Sequence, residues 1–229
     1  MVSTTSDTPQ PEVQNDFASM RRVMVESQLR PSDVNDPVVI SAMAVTPRED
    51  FVPESRKQTA YMDRAVPLGA GGRVLNPPLA TGLMLDRAQL RHDDHVLVIG
   101  SATGYLAALL APLVASVVAL EEDASFAGDA ASQLSNFGNI APASGDLVKG
   151  HGRKGPYSLI IIDGAVEQLP DTIIKQLDEN GRLLTGLVEN GVTRIAMGRK
   201  RNGTFGLTPF ADSDIMTLPQ FIAPKSYKF

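Results

Sequence analysis

The chain has 229 residues, 43% of them hydrophobic, with 21 Lys and Arg against 26 Asp and Glu for a net charge of -5. That size suits one domain with a single sizeable core, and the acidic balance without a basic stripe argues against nucleic acid as the main partner. With 0 Cys, disulfide scaffolds, thiolate metal sites, thiol nucleophiles and iron–sulfur clusters are excluded together.

Residues 1–16 are polar and rich in Ser, Thr and Pro, with neither a basic n-region nor an apolar run, so they read as a disordered tail rather than a signal peptide. From Phe17 to Gln28 the apolar positions Phe17, Met20, Val23 and Met24, with Leu29 just beyond, recur at mostly three- and four-residue steps, which predicts an amphipathic helix stopped by Pro31. Asp36 followed by Pro37 predicts a capped second helix through Val45. A turn-rich stretch ends in Gly69-Ala70-Gly71-Gly72, and a helical pattern runs from Pro78 to Leu90. Residues 17–90 thus read as a helical extension packed on a core formed by residues 91–229.

Beyond residue 91 the texture changes to β-rich apolar runs separated by helix-length segments. His95–Ile99, Ser116–Leu120 and Tyr157–Ile162 read as strands, Tyr105–Leu113, Ala124–Leu134 and Leu169–Leu177 as helices, and Arg182–Leu187 and Arg194–Gly198 as further strands. Continuous rather than alternating apolar runs predict an α/β fold whose doubly wound, mostly parallel sheet is covered on both faces. Arg199-Lys200-Arg201 reads as a solvated hairpin turn before Asn202-Gly203. No stretch reaches the roughly 18–20 apolar residues of a membrane span, and the expected compartment is the cytoplasm.

The most informative local pattern is Val96-Leu97-Val98-Ile99-Gly100-Ser101-Ala102-Thr103-Gly104-Tyr105, a strand entering a small-residue turn that opens a helix. Such a turn lets backbone approach a ligand and aims helix N–H groups at it. A dinucleotide fingerprint would need Gly where Tyr105 stands, whereas G-x-A-x-G suits nucleoside-sulfonium binding. Glu121 closes the next strand, where an acidic side chain reaches a ribose diol, with Glu122 beside it. Asp146, followed by Leu147, lies where an acid accepts from an adenine amine, and Asp163 ends the strand Tyr157–Ile162 at the ligand-binding edge of the sheet. The structural alternatives are tight helix–strand packing for the turn, an ordinary turn aspartate for Asp146 and a helix cap for Asp163. The three histidines, His92, His95 and His151, lack metal-ligand spacing, and Ser101 is in no G-x-S-x-G elbow.

Together with Arg22, Gln28-Leu29, Thr46-Pro47-Arg48-Glu49, Phe51-Val52-Pro53, Ala60-Tyr61, Asp63 and Asn180-Gly181-Arg182, these motifs make the chain resemble protein-L-isoaspartate O-methyltransferases from about Phe17 to Leu187. The resemblance implies a seven-stranded class I methyltransferase core of Rossmann-like type and an N-terminal extension that helps form the substrate cleft. It further implies S-adenosylmethionine as donor, S-adenosylhomocysteine as product, and a protein or peptide acceptor bearing a carboxylate. Gly100, Ser101, Ala102, Gly104, Tyr105, Glu121, Glu122, Asp146 and Leu147 are the implied cofactor contacts. Tyr61, Asp63, Arg73, Leu75, Asn76 and Asp163 are the candidates for the acceptor cleft.

The chain also departs from the family pattern. Arg73-Val74-Leu75-Asn76-Pro77 stands where members carry Thr-Ile-Ser-Gln/Ala-Pro, so Leu75 replaces the hydroxyl that helps hold substrate. Val98 replaces an acid, and Ala102 and Leu147 each replace a glycine. These departures predict weak activity on isoaspartyl peptides, with Arg73 as a substitute charge partner for the acceptor. The alternative is a catalytically silent binding or regulatory protein that keeps the fold. Neither oligomeric state nor the role of residues 198–229 is legible in the sequence.

Overall fold

The computed structural model describes residues 16–224, so all but the last residue of the expected tail lies outside the described residues. Asp16 accepts from the Ser19 amide at 2.9 Å to cap α1 (Phe17–Met24), which runs on into a π-helical turn, Val25–Leu29. Asp36 caps α2 (Pro37–Val45) as predicted, its carboxylate accepting from Val38 N at 2.8 Å. A two-stranded antiparallel ladder of β1 (Val66–Pro67) and β2 (Val74–Leu75) follows, then α3 (Pro78–Ala88).

The core unit alternates β3 (His95–Ile99), α4 (Tyr105–Leu110), β4 (Ser116–Glu121), α5 (Ala124–Leu134), β5 (Ile140–Ser144), β6 (Tyr157–Val166), α6 (Asp171–Ile174) and β7 (Leu177–Glu189), before β8 (Val192–Arg201) and β9 (Thr204–Asp212). They form one seven-stranded sheet in the order β5-β4-β3-β6-β7-β8-β9, parallel from β5 to β7 and antiparallel beyond. The connection from β3 leaves toward β4 on one side, while β6 joins on the other. This reversal leaves a crevice at the carboxyl edge of β3, the position at which open α/β sheets bind ligands.

Two apolar clusters cover the two faces. The larger joins α1–α5 and their connections to Val96, Val98, Leu159 and Ile161, and the smaller gathers Leu97, Ile99, Ile160, Ile162, Ile173, Leu218 and Phe221. Alternating residues of β3 and β6 therefore face opposite clusters, which is why their sequences read as unbroken apolar runs. The first cluster contains both Met24 and Leu109, so helices before residue 90 share a core with the sheet.

Several elements differ from the sequence reading. The α4 helix ends at Leu110 rather than Leu113 because Pro112 has no amide to continue it, and α6 spans four residues because Leu177 already enters β7. Arg199, Lys200 and Arg201 belong to β8, where they pair with Gly206, Phe205 and Thr204. The turn itself is Asn202-Gly203, both left-handed at φ of 50° and 72°, the pair of signs a type I′ hairpin requires.

Candidate functional site

The turn Gly100–Gly104 follows β3 at that crevice. Gly100 and Ser101 both donate to the Leu120 carbonyl, at 2.9 and 3.0 Å, which pins the turn to the end of β4. Gly104 has a φ of +95°, and a Cβ there would lie 2.9 Å from the Leu134 side chain. Its glycine is thus required by packing of the turn on α5 and by its left-handed backbone. Ala102 holds a φ of +44° where the family pattern has glycine, a conformation that costs an L-residue about 1–2 kcal/mol.

Glu121 ends β4 and turns its carboxylate over this loop. It accepts from Ala102 N at 2.7 Å, Glu122 N at 2.9 Å and Asp123 N at 3.0 Å. Arg73 completes the set, with Nη1 2.8 Å from Oε1 and Nη2 3.0 Å from Oε2. A carboxylate offers about four lone-pair sites, so these five bonds saturate it. Arg73 Nη2 also donates to the Gly100 carbonyl at 3.0 Å, and its guanidinium carbon lies 5.8 Å from the centre of the Phe126 ring. Arg73 and Glu121 are 8% and 6% exposed.

Against the same turn rests Leu218. A Cβ on Gly100 would meet Leu218 Cδ1 at 3.2 Å and Arg73 Nη2 at 3.5 Å, and one on Gly164 would lie 2.4 Å from Leu218 Cγ. The close approach depends on Gly164, a role the sequence reading missed. Its one legible sign is a glycine directly after Asp163 at the end of a buried strand.

A second buried group lies beside this crevice. Asn76 Nδ2 donates to Asp163 Oδ1 at 2.7 Å, and the Asn76 carbonyl accepts from Arg48. Arg48 is fully buried, donates to the Ala60 carbonyl at 2.6 Å and stacks 4.9 Å from the Tyr105 ring centre. Burial raises the Asp163 carboxyl above its ordinary range, against the Asn76 hydrogen bond and the charges of Arg73 and Arg48.

The structure thus brings Gly100, Ala102, Glu121 and Arg73 together, with Asn76 and Asp163 adjacent. It separates others. Tyr105 turns into the core, edge-on to Phe51, and Tyr61 hydrogen-bonds Arg21 and Glu49 within the N-terminal helices. Asp63 accepts from Leu79 N at 3.0 Å at the start of α3. Glu122 is exposed, and Asp146 caps the turn at Leu147–Lys149 and pairs with Lys149 at 2.9 Å. Ser101 is 4% exposed within the turn, and Leu75 and Leu147 are buried, one in each apolar cluster. Arg73, expected as partner of an incoming carboxylate, has its guanidinium engaged by Glu121 in this structure. Among the described residues no cluster of three His, Asp or Glu could hold a metal ion.

Fold and crevice define the class I methyltransferase architecture: a mostly parallel seven-stranded sheet, a glycine turn after its central strand and an acid ending the next. The sequence profile of protein-L-isoaspartate(D-aspartate) O-methyltransferase matches residues 20–215, and the chain belongs to that family of S-adenosylmethionine-dependent enzymes. It is 33% identical over 204 residues to the Koribacter versatilis protein-L-isoaspartate O-methyltransferase, covering 88% of this chain and 91% of that one. A Methanoculleus marisnigri relative of the same name is 37% identical over 72% of this chain and 75% of its own.

Among solved structures, a protein-L-isoaspartate O-methyltransferase superposes with a TM-score of 0.73 at 21% identity, over 88% of this chain and 65% of that one. A Plasmodium falciparum protein described as such an enzyme, in complex with S-adenosylhomocysteine, gives 0.75 at 18% identity over 90% of this chain and 100% of that one. At these identities the superpositions bear on fold alone.

Two acids at the crevice suit a nucleoside, Glu121 at the end of β4 and Asp146 beyond β5, while the amides of Gly100, Ser101, Ala102 and Gly104 are all engaged within the protein. The volume between the two acids does not suit one while Arg73 and Leu218 occupy it. A separate cavity of about 660 Å³ is lined by Phe51, Gly69, Gly71, Thr103, Asp123 and Phe126 among others. Its lining excludes Gly100, Glu121, Asp146 and Asp163.

Proposed function

We propose that the chain transfers a methyl group from S-adenosylmethionine to the free α-carboxylate of isoaspartyl residues in damaged proteins, in the cytoplasm. The observation that carries the reading is Glu121, an acid ending the strand beside the glycine turn at the switch point of the sheet, in a chain of this family. When bound, the donor supplies an activated methyl on a sulfonium. The acceptor carboxylate is ionised at neutral pH and needs no general base, so the protein's task is to position it and exclude water.

Asn76 and Arg48 form the polar wall nearest Asp163, and Asn76 Oδ1 and Arg48 Nη1 are buried without protein partners. Arg48 Nη1 is the donor proposed to orient the acceptor carboxylate, and Asn76 Oδ1, which can only accept, is proposed to face a peptide N–H of the acceptor. Leu75 offers no donor there, and its burial in the larger core means that a serine at this position would place a hydroxyl among apolar side chains. The test is transfer of labelled methyl from S-adenosylmethionine to an isoaspartyl peptide and to its aspartyl twin. Base-labile label on the isoaspartyl peptide alone is expected, at a low rate in the native chain. Absence of label from both peptides, in the native chain and in a variant that binds the donor tightly, refutes the reading.

A further inference from the structure

The crevice at the switch point is filled by the chain's own atoms, from two directions. From the amino-terminal side comes Arg73, delivered by the turn Gly69–Gly72. Gly69, Gly71 and Gly72 have φ of +139°, +89° and +73°, and a Cβ at any of them would meet no atom within 4 Å. The three glycines thus have open space beside their backbone, while the Leu68 N to Arg73 carbonyl bond at 3.0 Å and the β1–β2 ladder close the base of the turn, so its tip can rearrange about that base. At its end Arg73 places both arms of its guanidinium on Glu121, filling every acceptor site a ribose diol could use.

From the carboxyl-terminal side comes a strap that crosses the edge of the sheet. Ile215 belongs to the larger apolar cluster and Leu218 and Phe221 to the smaller, so residues 215–221 pass from one face to the other over the end of β6. Four backbone bonds tie it down: Ala165 N to the Met216 carbonyl at 2.9 Å, Leu218 N to the Ala165 carbonyl at 3.0 Å, and Glu167 and Gln168 N to the Phe221 carbonyl at 3.1 and 3.3 Å. Between these anchors Leu218 lies against Gly100 and Gly164.

We propose that Arg73 and Leu218 form a closure over the donor seat, so that nucleoside binding requires the Arg73–Glu121 pair to open and Leu218 to move, and that Arg73 is the residue that sets donor affinity in this chain. The inference rests on the functional reading above but fails separately from it. A ligand that binds only the open form has its apparent affinity reduced by the fraction open. Removing either plug raises that fraction. Arg73 carries the greater weight, because it competes for the same carboxylate oxygens as the ligand and adds a positive charge beside the place a sulfonium must take.

Calorimetric titration of the full chain with S-adenosylhomocysteine, which lacks the sulfonium charge, and with S-adenosylmethionine tests this. Arg73→Ala is expected to tighten S-adenosylhomocysteine by about tenfold or more, a gain of about 1.4 kcal/mol, with a larger gain for the sulfonium. Leu218→Ala is expected to tighten both equally and less. Should Arg73→Ala fail to fold, Arg73→Lys serves in its place, since a lysine cannot bridge two carboxylate oxygens and should give a smaller gain in the same direction. Native affinity equal to that of the variants overturns the closure, as does the absence of binding heat from every cooperatively melting variant. Variants that gain affinity without methylating an isoaspartyl peptide uphold the closure and refute the functional reading. A native chain that binds tightly and methylates does the reverse.

Discussion

Two buried arginine–carboxylate pairs stand at opposite ends of the sheet, and their surroundings separate a structural clamp from a closure. At the amino edge Arg182 Nη2 lies 2.5 Å from Asp94 Oδ2, with the two side chains 3% and 0% exposed. Asp94 also accepts from Ser158 Oγ at 2.7 Å and Arg91 N at 2.8 Å, while Arg182 Nη1 donates to the Gln89 carbonyl at 3.1 Å. Four elements converge there: the end of α3, the start of β3, and β6 and β7. Neither partner rides on a glycine hinge, and this edge is opposite the one at which open α/β sheets bind ligands.

At the carboxyl edge the chemistry is the same and the setting is not. Arg73 reaches Glu121 from a turn of three left-handed glycines, above the loop this architecture uses to approach a ligand. Glu121 would keep three backbone donors if Arg73 left, whereas Asp94 would keep one amide, one hydroxyl and the looser ion pair with Arg91 Nη2 at 3.4 Å, carried by a side chain that is 56% exposed. Burial and partner type match closely between the pairs. What differs is what holds the carboxylate once its buried arginine is lost: three amides of its own loop for Glu121, and one amide, one hydroxyl and a half-exposed arginine for Asp94.

The largest expected effect follows at the amino edge. Breaking a buried pair by removing one partner costs about 3–5 kcal/mol, so Asp94→Asn should lose that much stability in urea unfolding while leaving S-adenosylhomocysteine affinity unchanged. Burial pushes the Asp94 carboxyl up, but hydrogen bonds from Ser158, Arg182 and the Arg91 amide outweigh it and hold the group below its ordinary value. Its contribution is therefore present above the unfolded pKa of about 3.9 and lost as pH falls through the folded value. An acid titration should show this loss in the native chain and a flatter profile in Asp94→Asn. A drop in ligand affinity there would erase the distinction between the two edges.

Gly104→Val comes next, at about 2–3 kcal/mol, from a left-handed backbone and the overlap with Leu134. Thermal unfolding measures it, and the cost should be the same with and without ligand, because the clash is with α5. Smaller again is Arg73→Ala, at about 1–2 kcal/mol, since the three amide donors remain and water can enter. A loss as large as that of Asp94→Asn would make Arg73 a clamp. Last is Ala102→Gly, expected to gain about 0.5–1 kcal/mol by relieving the strained backbone net of chain entropy, which denaturant midpoints can resolve.

Much of the fold was legible because it is written in periodicity: the unbroken apolar runs of β3, β4 and β6 reflect burial on both faces, and Asp36-Pro37 fixes the start of α2. The glycine turn and Glu121 were legible as a motif. What the sequence did not disclose is long-range occupancy. Arg73 and Glu121 are 48 positions apart, and nothing local to either tells that they meet. Leu218 likewise reads as one apolar residue in a stretch without clear period, and only the topology brings it over Gly100. Tyr61 reads as a cleft residue and Tyr105 as a cofactor contact because motif membership does not say which way a ring turns.

Native-state hydrogen exchange on the unmodified, ligand-free chain tests the contrast between the edges most directly, since amides of both report in one experiment. Ala115 N, bonded to the Asp94 carbonyl at 3.0 Å, marks the amino edge, and Leu218 N, bonded to the Ala165 carbonyl at 3.0 Å, marks the strap. Exchange at Leu218 and Glu167 through an opening several kcal/mol below global unfolding, with Ala115 exchanging only on global unfolding, is the predicted result. Equal protection at both edges would contradict it, and would make the carboxyl edge as permanent a part of the fold as the amino edge.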